Sequence, residues 1–378
     1  MTHYDVVIVG AGMAGASFAA ELAPHASVLM IEAESLPGYH ATGRSAAFWS
    51  ETYGGPGVQP LTSASGAFLR DGGFLRVRGA LHLAGAADFA RLDRFAEMFA
   101  GTDIELAALD EAMIAERLPG LRPGPWRGLL EASTADIDVG ALHAHYLREA
   151  KAAGAGLACS APLRFAARED GRWRIDAGDA LSVGADMLVN AAGAWADPVA
   201  RIAEAAPLGI QPYRRTIAQL RVVPEAPDAM PLVIDAAERF YFKPEAGGRL
   251  WLSPHDETPA IAGDAAPEEI DVATAIDRME TVVDWRVERV ERSWAGLRSF
   301  APDRLPVYGF DPVVPGFFWF AGQGGFGIQT APAAARLGAA LLLGRAVEAG
   351  LDAERYGVKR LSLLPETTSL ALSRPPPG

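Results

Sequence analysis

The sequence predicts an α/β protein in which the elements of a nucleotide-binding domain are separated by a strand-rich middle, and three observations carry that prediction. Residues 4–9 are apolar and β-branched, a glycine turn follows, an Ala-rich helical stretch runs to Leu22, and a second apolar run covers 28–31. Residues 187–190 form another apolar strand leading to a turn at Gly193, and an apolar strand at 316–320 passes through a glycine cluster at 322–327 into an Ala-rich helix. Between these, residues 210–291 contain several strand-like runs, including 218–223 and 239–243, with one helix expected at 270–285.

The remaining elements follow in order. Residues 74–83 read as a strand crossing into a second region, and 89–99 have helical spacing with charges on one face. Residues 136–153 return as a helix, with Asp138 placed to cap it and Gly154 to end it. Residues 172–176 and 181–183 alternate around Gly178 as a hairpin. The expected division is a nucleotide domain from 1–75, 136–205 and 292–365, a second domain from 76–135 and 206–291, and a Pro-rich tail at 366–378.

Composition bounds the function. A chain of 378 residues suits two packed domains, and half hydrophobic with 21% charged residues is the balance of a folded globular protein. Forty-seven acidic against 34 basic residues leave a formal charge of −13, which argues against nucleic-acid binding because phosphate backbones need clustered Lys and Arg. A small-molecule partner is expected. The single cysteine, Cys159, excludes an internal disulfide, and it lies in an Ala/Gly-rich stretch far from the glycine motifs, as an inert thiol would. No basic leader precedes the first strand, and the run at 331–343 is interrupted by Arg336 and falls short of the roughly 20 residues a bilayer needs. A cytoplasmic protein without a membrane span is expected.

Gly10-Ala11-Gly12-Met13-Ala14-Gly15 matches G-x-G-x-x-G between a strand and a helix, where the mechanism needs it. The first glycine makes the tight turn, the second admits a pyrophosphate against the backbone, and the third lets helix and strand pack closely. The helix N-terminus then meets the anion. Glu32, ending the second strand, is placed to accept hydrogen bonds from ribose hydroxyls. These features define a dinucleotide site and leave FAD and NAD both open. The loop with Thr42, Gly43, Arg44 and Ser45 follows the second strand, and small residues there allow it to hug a cofactor. The cluster Gly324-Gly325-Phe326-Gly327-Ile328-Gln329 opens a helix, so its N–H groups converge on a ligand and suit the N1–C2=O edge of a flavin.

Taken together, residues 10–15, Glu32, the loop at 42–45, the run 189–195, the run 294–298 and the cluster at 323–330 resemble the D-amino-acid oxidase-like family of FAD enzymes over nearly the whole chain. Residues 38–53 and 240–244 are similar to the bacterial D-arginine dehydrogenases within it. The resemblance implies non-covalent FAD, a substrate domain on a mixed sheet, and oxidation of a C–N bond next to a carboxylate. It places Gly10, Gly12, Met13, Ala14, Gly15, Glu32, Ala33, Thr42, Gly43, Arg44, Ser45, Ala46, Ala192, Gly193, Trp195, Gly324, Gly325, Phe326, Gly327, Ile328 and Gln329 around the cofactor, with Arg298 at both cofactor and substrate.

The same resemblance gives Arg298 to the substrate carboxylate, which a guanidinium fork meets bidentately. Tyr241 joins it, and Tyr53 sits on a mobile active-site loop. Arg214 is the expected second arginine, with Arg215 an equally plausible reading of the same stretch. Two departures matter: Phe48 stands where the relatives have a histidine, and Ala80 where they have the glutamate that meets a guanidinium. A cationic side chain loses its partner, and an unpaired buried guanidinium costs several kcal/mol. A D-amino acid with a neutral or hydrophobic side chain is therefore expected, oxidised by hydride transfer to flavin N5 and hydrolysed to the 2-oxo acid and ammonia, with a quinone or O2 as acceptor. The alternatives are a glycine- or sarcosine-type amine, or a 2-hydroxy acid, which needs a histidine base such as His40, His82 or His255. No metal is expected.

Overall fold

In the computed structural model, which describes residues 1–363, the N-terminal run is the strand Thr2–Val9. It pairs in parallel with Val28–Ile31 on one side and with Leu181–Asn190 on the other. Val6, Val7 and Ile8 are covered on both faces, which is why the run is continuously apolar instead of alternating. The eight-stranded sheet runs Leu163–Glu169, Arg172–Ala177, Leu181–Asn190, Thr2–Val9, Val28–Ile31, Gly156–Ala158, and Phe317–Ala321 and Val307–Phe310 extend it beside Leu181–Asn190. Helices Met13–Leu22, Val139–Ala152 and Ala331–Leu342 pack together. Phe18 stacks on Phe320 with centroids 4.4 Å apart, joining helix to sheet. Asp138 caps its helix by accepting the Ala141 N–H at 2.8 Å.

The second sheet has ten strands among the described residues. Its order is Gln323–Gly324, Arg286–Phe300, Gln211–Val223, Arg249–Ser253, Tyr241–Glu245, Leu232–Asp235, Ala80–Ala84, Arg127–Glu131, Leu106–Leu109, with Thr258–Pro259 beside Gln211–Val223. The pairing of Leu232–Asp235 with Ala80–Ala84 is parallel and the others are antiparallel, so the sheet is mixed. Helix Glu269–Glu280 buries Val272, Ala275 and Met279 with Phe242, Leu250 and Leu252. That covers one face and leaves the other for the cavity. A three-stranded sheet of Phe48–Trp49, Ala135–Ile137 and Leu75–Val77 is interleaved along the chain with the strands of the two large ones.

Two expected elements are corrected, and one expected boundary falls within a strand. The strand expected at 74–83 is two strands in different sheets, because the N–H groups of Arg78 and Gly79 both donate to the Thr134 carbonyl and end the first pairing. The helix expected to reach 285 ends at Glu280, since the chain then crosses to pair Leu121 with Val283. The domain boundary expected at 292 falls inside the continuous strand Arg286–Phe300, so Arg298 is carried by the ten-stranded sheet. The expected tail at 366–378 lies outside the described residues. Among the described residues no helix is long and apolar enough to cross a membrane.

Candidate active site

A cavity of about 410 Å³ lies between the two large sheets, within the size range of small-molecule sites. Its first end is made by Gly10, Gly12, Met13 and Ala14 at the turn into the first helix. Gly10 has φ near 101°, and a Cβ there would stand 2.6 Å from the Ala191 carbonyl oxygen, so only glycine closes this turn against the neighbouring strand. Gly15 lies off the cavity, where any Cβ would strike the Gly10 carbonyl, in keeping with its packing role. Glu32 is buried in the cavity wall, with one carboxylate oxygen accepting the Ala11 N–H at 2.8 Å and the other the Glu34 N–H at 3.0 Å. Thr42 accepts the Met13 N–H at 2.9 Å, tying its loop to the glycine turn. His143 holds Ala11 from behind, 2.9 Å from its carbonyl oxygen. Burial keeps that imidazole below its usual pKa, so the neutral ring donates the Nε2 proton.

The wall continues through Ala33, Arg44, Ser45, Ala46, Ala192, Gly193 and Trp195. His40 packs on Trp195 at 4.6 Å and meets Glu34 at 2.9 Å, which places it at the nucleotide end. Arg44 reaches across to the second domain, donating to the carbonyls of Ala265 at 3.3 Å and Ala295 at 3.2 Å and pairing with Asp264. A glycine wall that a Cβ would block, a first-turn helix end and a carboxylate held by backbone N–H groups together fit an extended dinucleotide. Opposite them, Gly324, Gly325, Gly327 and Ile328 line the same cavity.

The second end is built from side chains. Arg298 faces the cavity and makes no side-chain hydrogen bond or salt bridge among the described residues; its guanidinium lies 5.6 Å from the centre of the Tyr53 ring. Both groups close on Gly325, where a Cβ would collide with the Tyr53 hydroxyl and sit 3.0 Å from the guanidinium carbon. Tyr241 is buried, and its hydroxyl has no hydrogen-bond partner among the described residues. Burial pushes the Tyr53 phenol above its usual range, so it stays protonated and able to donate.

Arg215, and not Arg214, lines the cavity. The two are neighbours on one strand and so point to opposite faces. Arg214 is held by Asp256 at 3.2 Å, Asp271 at 2.6 Å and Glu268. Arg215 donates to the Asp256 carbonyl at 2.7 Å and to Glu257 at 3.1 Å, while Nη1 is buried without a partner among the described residues. Burial first, and then the Arg298 charge, depress the Arg215 pKa. An anion placed between these guanidinium groups relieves that repulsion.

Phe48 faces the two tyrosines, 5.3 Å from Tyr53 and 5.9 Å from Tyr241, whereas Trp49 is buried and donates to the Thr62 carbonyl at 3.2 Å. Ala80 is fully buried in the same cluster as Tyr241, with Ile217, Phe48, Trp251 and Trp294. Composition alone could not find Ile217, Trp251 and Trp294, because three separate strands bring them there. Four residues expected at the cofactor lie off the cavity, Gly15 among them. Phe326 packs on Val58 and Phe300, Gly43 bonds back to Gly38 to shape its loop, and Gln329 uses its side chain to hold residues 50–53. His82 stacks on Phe95 at 4.4 Å and lies 3.6 Å from Glu131, and His255 packs on Tyr241 at 5.4 Å.

Residues 5–341 match the family model described as FAD dependent oxidoreductase, DAO. The chain belongs to that family, and FAD is its cofactor. Among solved structures, glycine oxidase from Geobacillus kaustophilus has a TM-score of 0.82 at 23% identity, covering 95% of this chain and 99% of that one. Iminodiacetate oxidase from Chelativorans sp. BNC1 has a TM-score of 0.73 at 25% identity, covering 93% and 98%. FAD-dependent oxidoreductase domain-containing protein 1 of Xenopus laevis is 28% identical over 182 residues, which are 44% of this chain and 36% of the relative. The chain thus spans about a third of the length of the curated relatives it matches.

Proposed function

We propose that this protein oxidatively deaminates a D-amino acid with a neutral or apolar side chain, giving the 2-oxo acid and ammonia. The observation that carries the reading is Arg298, a cavity-facing guanidinium that no carboxylate pairs among the described residues, set beside Arg215, Tyr53 and Tyr241. Charged groups left unpaired in a cavity are costly unless a ligand completes them. A substrate carboxylate does so with the fork of Arg298, the free Nη1 of Arg215 and the two phenol hydroxyls.

Holding the carboxylate fixes the α-carbon and directs its C–H bond along the cavity, while Phe48 and Ala80 receive the side chain. FAD would be held by the glycine turn, Glu32 and the backbone of Gly324, Gly325, Gly327 and Ile328, and would supply the hydride acceptor. The amine enters neutral, its lone pair closes the C=N bond as the hydride leaves, and water then releases ammonia, so no side-chain base is required. The structural similarity to glycine oxidase and iminodiacetate oxidase supports a substrate with nitrogen beside a carboxylate. The second of these favours an N-substituted glycine as the other reading. His255 beside Tyr241 is the histidine that a 2-hydroxy-acid reaction would use.

The deciding experiment is anaerobic bleaching of the bound flavin by a panel of D-, L- and N-substituted amino acids and 2-hydroxy acids. Fast bleaching by apolar D-amino acids is expected, with reoxidation by O2 or a quinone identifying the acceptor. Bleaching only by iminodiacetate, only by L-amino acids or only by hydroxy acids replaces the reading.

A further inference from the structure

We infer that Glu131 is the positioning residue for Tyr53, fixing its distance from the substrate-binding groups of the ten-stranded sheet. This rests on the reading above that Tyr53 meets the substrate carboxylate. Glu131 ends the strand Arg127–Glu131 and is completely buried. A carboxylate in that position is costly unless every oxygen is satisfied.

Among the described residues, the four hydrogen bonds to its carboxylate come from one turn, with His82 next at 3.6 Å. Its carboxylate accepts the Ser50 hydroxyl at 2.9 Å, the Thr52 hydroxyl at 2.6 Å, the Glu51 N–H at 2.7 Å and the Thr52 N–H at 3.4 Å. These are the three residues immediately before Tyr53, whose own N–H donates to the Ser50 carbonyl at 3.3 Å. Gln329 grips the turn from the other side, accepting the Ser50 N–H at 3.2 Å and donating to the Tyr53 carbonyl at 3.1 Å. The expected mobile loop is thus pinned at both ends of the tyrosine.

The choice of strand explains what the pinning sets. Glu131 pairs in register with Ala80, in the same sheet that carries Arg298, Arg215 and Tyr241. Tyr53 follows the short strand Phe48–Trp49 of a different sheet. Through four hydrogen bonds, one side chain ties the turn of the first to the frame of the second. A carboxamide at this site turns one acceptor into a donor, so the Ser50 and Thr52 hydroxyls, which donate to one carboxylate oxygen, have to reverse their direction and reorient.

The test is a double-mutant cycle of Glu131→Gln with Tyr53→Phe, read as kcat/KM for the best amino acid and as flavin content. Glu131→Gln alone is expected to lower kcat/KM about tenfold with flavin content unchanged, and to cost less than about twofold when Tyr53 is already Phe. If Glu131→Gln fails to fold, Thr52→Val takes its place, with a loss of about threefold that also vanishes in the Tyr53→Phe background. Equal losses in both backgrounds, or no loss in either, overturn the inference while leaving the deamination reading intact. A parent enzyme that no amino acid bleaches overturns both.

Discussion

The two ends of the cavity are made of different material. The nucleotide end is built around backbone, with Gly10 and Gly12 in the turn and Gly193 opposite, and the carboxylate of Glu32 is itself held by N–H groups. The end proposed for the substrate relies on side chains, with Arg298 and Arg215 lining the cavity and Tyr53, Tyr241 and Phe48 packed beside them from separate segments. A backbone wall has no room for added atoms, whereas a side-chain wall can be trimmed without moving its frame. Substitution at the first end should therefore remove the cofactor, and at the second should change kinetics with the cofactor in place.

The largest expected effect tests the first half of that contrast. Gly10→Val puts a branched side chain at a positive φ against Ala191, costing about 2–6 kcal/mol, and the purified protein should lose most of its visible flavin absorbance. Retention of full flavin breaks the comparison. Next, Arg298→Ala should lower kcat/KM roughly 100-fold, on the order of 3 kcal/mol, with flavin content unchanged. Loss of flavin in that variant would mean the two ends are not separable.

The neighbouring arginines sharpen the contrast within one strand. Arg214→Gln removes the partner of buried Asp256 and should cost about 1–3 kcal/mol in stability by thermal unfolding, with kcat/KM within about twofold. Arg215→Gln should do the reverse, lowering kcat/KM about tenfold at nearly constant Tm. Phe48→Ala should lower kcat/KM about tenfold for bulky apolar side chains and less for alanine, measured across a substrate series.

The smallest effect concerns pH at the nucleotide end. Because burial holds the His143 pKa below its unfolded value, its contribution is complete above the usual histidine range and is lost as pH falls through the folded value. Parent protein should lose more thermal stability between neutral and mildly acidic pH than His143→Gln does. Equal pH slopes would remove His143 from the support of Ala11.

Legibility in the sequence followed the same division. The turn at 10–15 and Glu32 could be read because the contacts that use them lie within one strand–helix–strand unit. Phe48 and Ala80 were legible as departures from the relatives' pattern, and the structure brings both to Tyr241. The pair at 214 and 215 could not be resolved, since two identical side chains differ only in which face of the sheet they meet, and a one-residue shift in register exchanges them. Glu131 gave no signal at all. Its partners are about 80 positions away, and an isolated glutamate at the end of a strand looks like any solvated one.

What the sequence determined by itself was the nucleotide fingerprint and the α/β class, because a glycine's backbone freedom and an apolar period act over a few residues. The tertiary structure alone decided which of the neighbouring arginines faces the cavity, which aromatic side chains pack beside it and how Tyr53 is held. Those depend on sheet register and on hydrogen bonds closing across distant segments, where the energy is set by neighbours that no local pattern names.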